Sequence, residues 1–256
     1  MRGDILKKKL MVLCAVAIMI STCLTGCKMN SGKIRFGSAG IGGTYQIFGD
    51  TFANLISSKS KKYNIEVKTT AGSAANLRLL SKDYIQMAVA QMDLINDAYN
   101  RTGIFENDKK YQGYRAVASL YTEACQIVVP ADSDIQSMDD LEGKKVCIGE
   151  EESGTEQNAL QILNAYGLNE RLVDTVNLNY TDAAKKLKSG DIDAFFCTAG
   201  IQTTVINELS KQCKIRLVSL DQKGVSRLKK SYKFYTEYTI PAGTYVNQTK
   251  EIKTVG

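Results

Sequence analysis

Small residues recur at three places where an apolar run gives way to a helical pattern: Gly42-Gly43-Thr44-Tyr45, Gly72-Ser73-Ala74-Ala75-Asn76 and Ser153-Gly154-Thr155. The chemistry open to such stretches is the binding of anions or polar groups. The first N–H groups of a helix have no partner inside the helix and carry the positive end of its dipole. Glycine and serine there let a ligand approach the backbone. The same residues are ordinary turn and cap chemistry, so any one stretch alone is better read that way. Three at one topological position point to a shared ligand.

The first stretch follows a phosphate-loop frame through Gly37, Gly42 and Thr44, but Gly43 stands where the lysine should be. The charge that would reach the outer phosphates is therefore missing. Tyr45 occupies the third glycine of a dinucleotide fingerprint, so that reading fails too. What remains is a site for a small anion or polar zwitterion, beside which Tyr45 could stack or hydrogen-bond.

Other residue types narrow the chemistry further. The chain has no histidine, which removes Ser-His-Asp and Cys-His systems and the commonest zinc ligand. No metal site, cofactor or catalytic residue is expected. Cys125, Cys147, Cys197 and Cys213 have no CxxC-type spacing and read as buried free thiols. Arg78 could pair a ligand carboxylate but reads better as a solvated helix charge. Asp191 and Asp193 flank a strand entry beside Gly190 and suit a turn, and Lys185, Lys186 and Lys188 suit a solvated helix face.

The elements that must position these loops alternate. Ile34–Ser38, 65–69, 85–90, 115–120 and 126–129 read as strands, as do 146–148, 192–197 and 215–220. Helices follow the three small-residue stretches. The first carries Ile47, Phe48, Phe52, Leu55 and Ile56 on one apolar face, and the third has capping-box spacing between Ser153 and Glu156. A further helix covers 182–187. This order predicts an α/β fold with mostly parallel sheets, whose binding loops gather at the carboxyl ends of the strands.

At the N-terminus, Lys7, Lys8 and Lys9 precede an apolar run from Leu10 to Ile20, too short to span a bilayer and typical of a secretory signal. Leu24-Thr25-Gly26-Cys27 reads as a bacterial lipobox, with Cys27 the lipid anchor. The expected product is extracytoplasmic and tied to the cell membrane only through that lipid. Removing residues 1–26 removes Arg2, three lysines and Asp4, so the formal charge falls from +6 to +3. No arginine-rich stripe remains, which disfavours nucleic acid as a partner.

Five segments together resemble one family: Gly40–Tyr45, Thr70–Leu80, Asp139–Val146, Ser153–Ala159 and Gly190–Phe196, with Ile240–Tyr245 as a sixth. They are similar to the TAXI receptors (TRAP-associated extracytoplasmic immunogenic) of TRAP transporters. The resemblance implies a two-lobed type II periplasmic-binding-protein fold. It also implies a monomer that hands a glutamate-like or 2-oxoglutarate-like carboxylate to a TRAP permease driven by an ion gradient. By motif, Gly42, Gly43, Thr44, Tyr45, Gly72, Ser73, Ala74, Asn76 and Gln91 form the first wall. Ser153, Gly154, Thr155, Thr198 and Gly200 form the second, with Tyr121 and Glu123 near the first crossing between lobes.

The expected organisation is a signal over 1–26, a tether over 27–32, a first lobe over 33–121 and a second over 122–220. Residues 221–256 are expected to return to the first lobe. Relatives continue past the sixth segment where this chain reaches Gly256, which leaves open whether that return is truncated. Gln126 stands where relatives often have histidine, which leaves the ligand open. The alternatives are the same fold serving an ABC transporter or a sensor kinase, and, more distantly, an enzyme using Cys197.

Overall fold

The computed structural model describes residues 33–256; the expected signal, tether and Cys27 lie outside the described residues. The first sheet has the order β2-β1-β3, formed by β1 (Lys33–Gly37), β2 (Asn64–Lys68) and β3 (Met87–Ala88), with β1 and β3 parallel. Three helices accompany it: α1 (Thr44–Lys59), α2 (Ser73–Ser81) and α3 (Met92–Asn100). Ala74 and Leu77 of α2 pack on Leu94 and Ala98 of α3 and on Phe105.

On α1 the buried residues are Tyr45 and Gly49, and Phe48 and Phe52 pack their rings on Phe36. The apolar face expected from Ile47 and Leu55 is narrower than the sequence suggests, since these two are 47% and 53% exposed. At 100° per residue Ile47 falls on the far side of the stripe through 45, 49, 52 and 56, and Leu55 at its margin.

The second sheet has the order β6-β5-β7-β4-β8. Its strands are β4 (Ala124–Pro130), β5 (Lys145–Gly149), β6 (Asp174–Asn177), β7 (Ala194–Ala199) and β8 (Ile215–Leu217). β5 runs parallel to both β6 and β7, while β4 is antiparallel to β7 and β8. Alternation along β4, β5 and β7 sends side chains to opposite faces, as a pleated strand must. Cys125, Ile127 and Val129 join one cluster, under α4 (Gly154–Ala165) and α7 (Gln222–Ser231). Ala124 and Val128 join the other, under α5 (Tyr180–Ser189) and α6 (Thr204–Gln212).

The antiparallel setting of β4 has a consequence for the site. Ala124 pairs with Ala199, so the strand begins where β7 ends. Glu123, the residue before β4, therefore arrives at the carboxyl edge of β5 and β7, where the binding loops gather.

Two segments differ from expectation. Residues 115–120 alternate like a strand but form none, and Val117 is 85% exposed; among the described residues no strand pairs with them. Residues 221–256 pack on the second sheet instead of returning to the first. Val225 and Leu228 of α7 cover the same face as α4. The hairpin of β9 (Glu237–Ile240) and β10 (Ile252–Val255) lies beside β4, where Thr254 Oγ1 donates to the Cys125 carbonyl. The apolar stripe of α7 finds its complement on the second sheet, and that decides the docking. All four described cysteines are free, three of them buried.

Ile127 is fully buried in a strand hydrogen-bonded on both sides. Ile127→Ala should cost about 2–5 kcal/mol in urea unfolding, the range for a truncated core side chain. A loss below about 1 kcal/mol would show that β4 is not central to the core.

Candidate functional site

Three helix starts meet as the small-residue pattern anticipates. α1 begins after Gly43 and α2 after Gly72, neither with a side-chain cap, so of the first three N–H groups of α2 only that of Ala75 has a partner among the described residues, the Glu152 carbonyl. α4 is capped: Ser153 Oγ accepts from Glu156 N at 3.0 Å, and the Glu156 carboxylate accepts from Glu152 N at 2.9 Å. Gly72 has φ +132°, and a Cβ there would lie 3.4 Å from Ser153 Cα. The φ is what calls for glycine, since the approach itself would leave a Cβ in ordinary van der Waals contact.

These loops line a small, partly open cavity of about 40 Å³. Gly43, Thr44, Tyr45, Gly72, Ser73 and Gln91 line it from the first-sheet side. Ser153, Gly154, Thr155 and Thr198 line it from the second. The other five residues expected there are placed behind the wall or at its edge. The Gly42 carbonyl accepts from Val205 N and Thr203 Oγ1, at 3.3 and 3.2 Å. Ala74 is fully buried beneath α2. Asn76 donates to the Ser38 and Val89 carbonyls at 2.7 and 2.9 Å, tying the first-sheet loops together. Gly200 lies beside Thr44 and the ring of Tyr121.

Several lining residues were not singled out from sequence. Tyr180 enters from the start of α5, donating to the Thr198 carbonyl at 3.0 Å and lying 2.5 Å from Thr155 Oγ1. Its helix is capped by Asn179, whose side chain accepts from Asp182 N at 2.9 Å. The Asn-x-x-Asp spacing was a usable signal for a fourth helix start at the same edge. Glu150 and Glu123 also line the cavity. Glu123 is the exception among them: the family resemblance places it near the first crossing between lobes.

The wall is held by hydrogen bonds that cross from one set of loops to the other. Gln91 Nε2 donates to Asn158 Oδ1 at 2.9 Å, and Ala75 N to the Glu152 carbonyl at 3.2 Å. Arg78 is neither a ligand group nor a solvated charge: it pairs with Asp108 and, at 3.0 Å, with Glu152, and stacks over Phe105. Gln126, fully inside β4, is taken by Tyr245 and lies outside the cavity lining. Asp193 accepts from Lys145 N at 2.7 Å, a structural role at the strand entry.

Electrostatically the cavity is unusual for a site built to attract anions. Among the described residues that line it there are two carboxylates and no lysine or arginine. Tyr45 Oη donates to Glu123 Oε2 at 2.9 Å. Burial pushes the Glu123 carboxyl up to about 7; hydrogen bonds from Tyr45, Gln91 and Tyr121 oppose the rise, and Asp93 adds to it. Burial likewise raises the hydroxyls of Tyr45 and Tyr180 and the thiol of Cys197. Cys197 is thus held as the thiol, the unreactive form.

The chain belongs to the NMT1-like family, whose pattern matches residues 36–256. It is similar in structure to a protein of Bordetella bronchiseptica RB50, with a TM-score of 0.55 and 19% identity, covering 78% of this chain and 59% of that one. It is also similar to the alkanesulfonate-binding protein SsuA from Xanthomonas axonopodis pv. citri bound to MOPS (TM-score 0.50, 17% identity, 73% of this chain and 60% of that one). A third is an ancestral arginine-binding protein bound to arginine (0.50, 18%, 79% and 93%). The chain thus spans about three fifths of the length of the first two. At these identities the likeness shows the fold, which is the two-lobed α/β fold of periplasmic solute-binding proteins. Among the described residues no helix is long and apolar enough to cross a membrane.

The sign of the Glu123 contribution to stability follows from proton binding. The folded carboxyl keeps its proton to about pH 7 against 4.5 ordinarily, so the folded state binds more protons in that window. Stability contributed by this group is present below pH 4.5 and lost as pH rises toward 7. Glu123→Gln should therefore be more stable than the parent at alkaline pH, by on the order of 1–3 kcal/mol, with the gap closing in acid. Urea unfolding at both pH extremes measures it; a gap independent of pH would contradict the assignment.

Proposed function

We propose that the protein is an extracytoplasmic receptor that captures a small carboxylate-bearing solute for a TRAP-type permease, as TAXI receptors do. The observation that carries the reading is the convergence of the α1, α2 and α4 N-termini on one cavity. Two of them have glycine caps that leave backbone N–H groups free for an anion. With no lysine or arginine in the described lining, a carboxylate would rest on these N–H groups and on the hydroxyl of Thr44. The sixfold motif set and the lipobox at Cys27 support the transporter class and the membrane tether.

In this reading the chain works as a monomer, with a signal over 1–26, a tether over 27–32 and lobes over 33–121 and 122–220. Gln91–Asn158 and Arg78–Glu152 act as latches of the closed state. Closure around the solute creates the surface that the permease recognises. The same fold could instead serve an ABC transporter or a sensor kinase, which capture of the membrane partner would decide. An enzyme using Cys197 is opposed by its buried, protonated thiol.

A thermal melt against dicarboxylates, keto acids and acidic amino acids tests the reading. A solute at a hundred times its dissociation constant adds about 2.7 kcal/mol to stability, an upward shift of roughly 5–10 °C for a chain of this size. A Cβ on Gly43 would lie 3.2 Å from the Tyr180 ring, so a larger side chain intrudes on the cavity. Gly43→Leu should remove the ligand shift while leaving a cooperative melt. A shift that survives the substitution would place the site elsewhere.

A further inference from the structure

Two carboxylates and no described lysine or arginine line the cavity, where an anion site would be expected to be positive, and one of them, Glu123, is placed with care. Ser73 Oγ accepts from Gln91 N at 3.1 Å and lies 3.3 Å from Tyr45 Oη, whose own proton goes to Glu123. The hydroxyls therefore point in series from Gln91 through Ser73 and Tyr45, and Glu123 is the acceptor on which the chain ends. A glutamine oxygen would accept the Tyr45 proton equally well, so hydrogen bonding alone does not account for a charged group here.

The groups electrostatically coupled to Glu123 are Tyr45 on α1, Asp93 on α3, Tyr121 and Cys125 along its own segment, Tyr180 on α5 and Cys197 on β7. None is cationic. A carboxylate removed from water without a positive partner is unfavourable unless something positive arrives. A second acceptor lies on the same wall: Gln91 Oε1 is buried and has no hydrogen-bond partner.

We infer that Glu123 is the docking point for a cationic nitrogen of the solute, with Gln91 Oε1 as a further acceptor for its N–H groups. The solute is then an amine-bearing acid, its carboxylate on the helix N-termini and its ammonium on Glu123, and nitrogen-free keto and dicarboxylic acids are excluded. This rests on the reading of the cavity as the solute site. Proton and ammonium compete for one carboxylate. Affinity therefore rises with pH until Glu123 is fully ionised, while the ammonium itself stays charged across the neutral range.

The test is calorimetric titration of the whole protein with matched sets, each an amino acid, its keto acid and its des-amino acid, together with amines lacking a carboxylate. At least one amino member should bind tenfold or more tightly than its two counterparts. Its affinity should rise roughly tenfold between about pH 6 and about pH 8, because ionisation of the free site is nearly complete at the upper value. Glu123→Gln should abolish both the preference and the pH dependence. Glu123→Asp, which keeps the charge but shortens the reach, should weaken binding and keep the pH dependence.

Equal binding of the keto or des-amino member, or a preference that survives Glu123→Gln, overturns the inference. Binding of nitrogen-free dicarboxylates alone overturns it while the carboxylate receptor reading stands. Binding of carboxylate-free amines alone upholds the ammonium docking at Glu123 but overturns the assignment of an amine-bearing acid, together with the carboxylate in that reading. Silence from every amine-bearing probe also overturns it.

Discussion

Everything about the site depends on one close approach, that of Gly72 to Ser153. A Cβ on Gly72 would touch the Ser153 backbone, and its φ of +132° is a conformation that other residues adopt only under strain. Because these two backbones meet, the N-termini of α2 and α4 face a common space. Ala75 N then reaches the Glu152 carbonyl, and Arg78 reaches the Glu152 carboxylate. Gly154 makes a similar allowance: a side chain there would collide with the Gln91 amide that bonds to Asn158. Small residues thus serve the geometry of closure as much as the approach of a ligand.

The sheets supply these loops for a topological reason. Parallel strands β5, β6 and β7 deliver their carboxyl ends to one edge, and antiparallel β4 delivers its beginning to the same edge. One cavity therefore receives both helix N-termini, which favour negative charge, and the carboxylates Glu123 and Glu150, which favour positive charge. A solute carrying both signs answers both walls.

The three helix starts were legible because their signal is local: small residues, a change of period and, at Ser153, a cap that the structure shows. The start at Tyr180 carried its own cap signal in Asn179 and Asp182, but a bulky aromatic residue does not announce a ligand wall. Glu123 was legible only through the family resemblance, which put it near the crossing between lobes; its place at the cavity edge comes from the antiparallel pairing of β4 with β7. The resemblance assigns Asn76 to the ligand-binding wall, yet its bonds to Ser38 and Val89 give it to the scaffold. Residues 115–120 show the limit of periodicity. Alternation marks a segment able to pair, and among the described residues no strand pairs with it.

The most direct test of the account is amide hydrogen exchange with and without a solute that stabilises the protein. The account places the bound solute against Thr44 and Tyr45, Ser73 and Ala74, and Gly154 and Thr155. Exchange at those first-turn amides should slow on binding, together with the segment that carries Glu123. Slowing confined to other regions, with these helix starts unchanged, would contradict the claim that the convergent N-termini hold the solute.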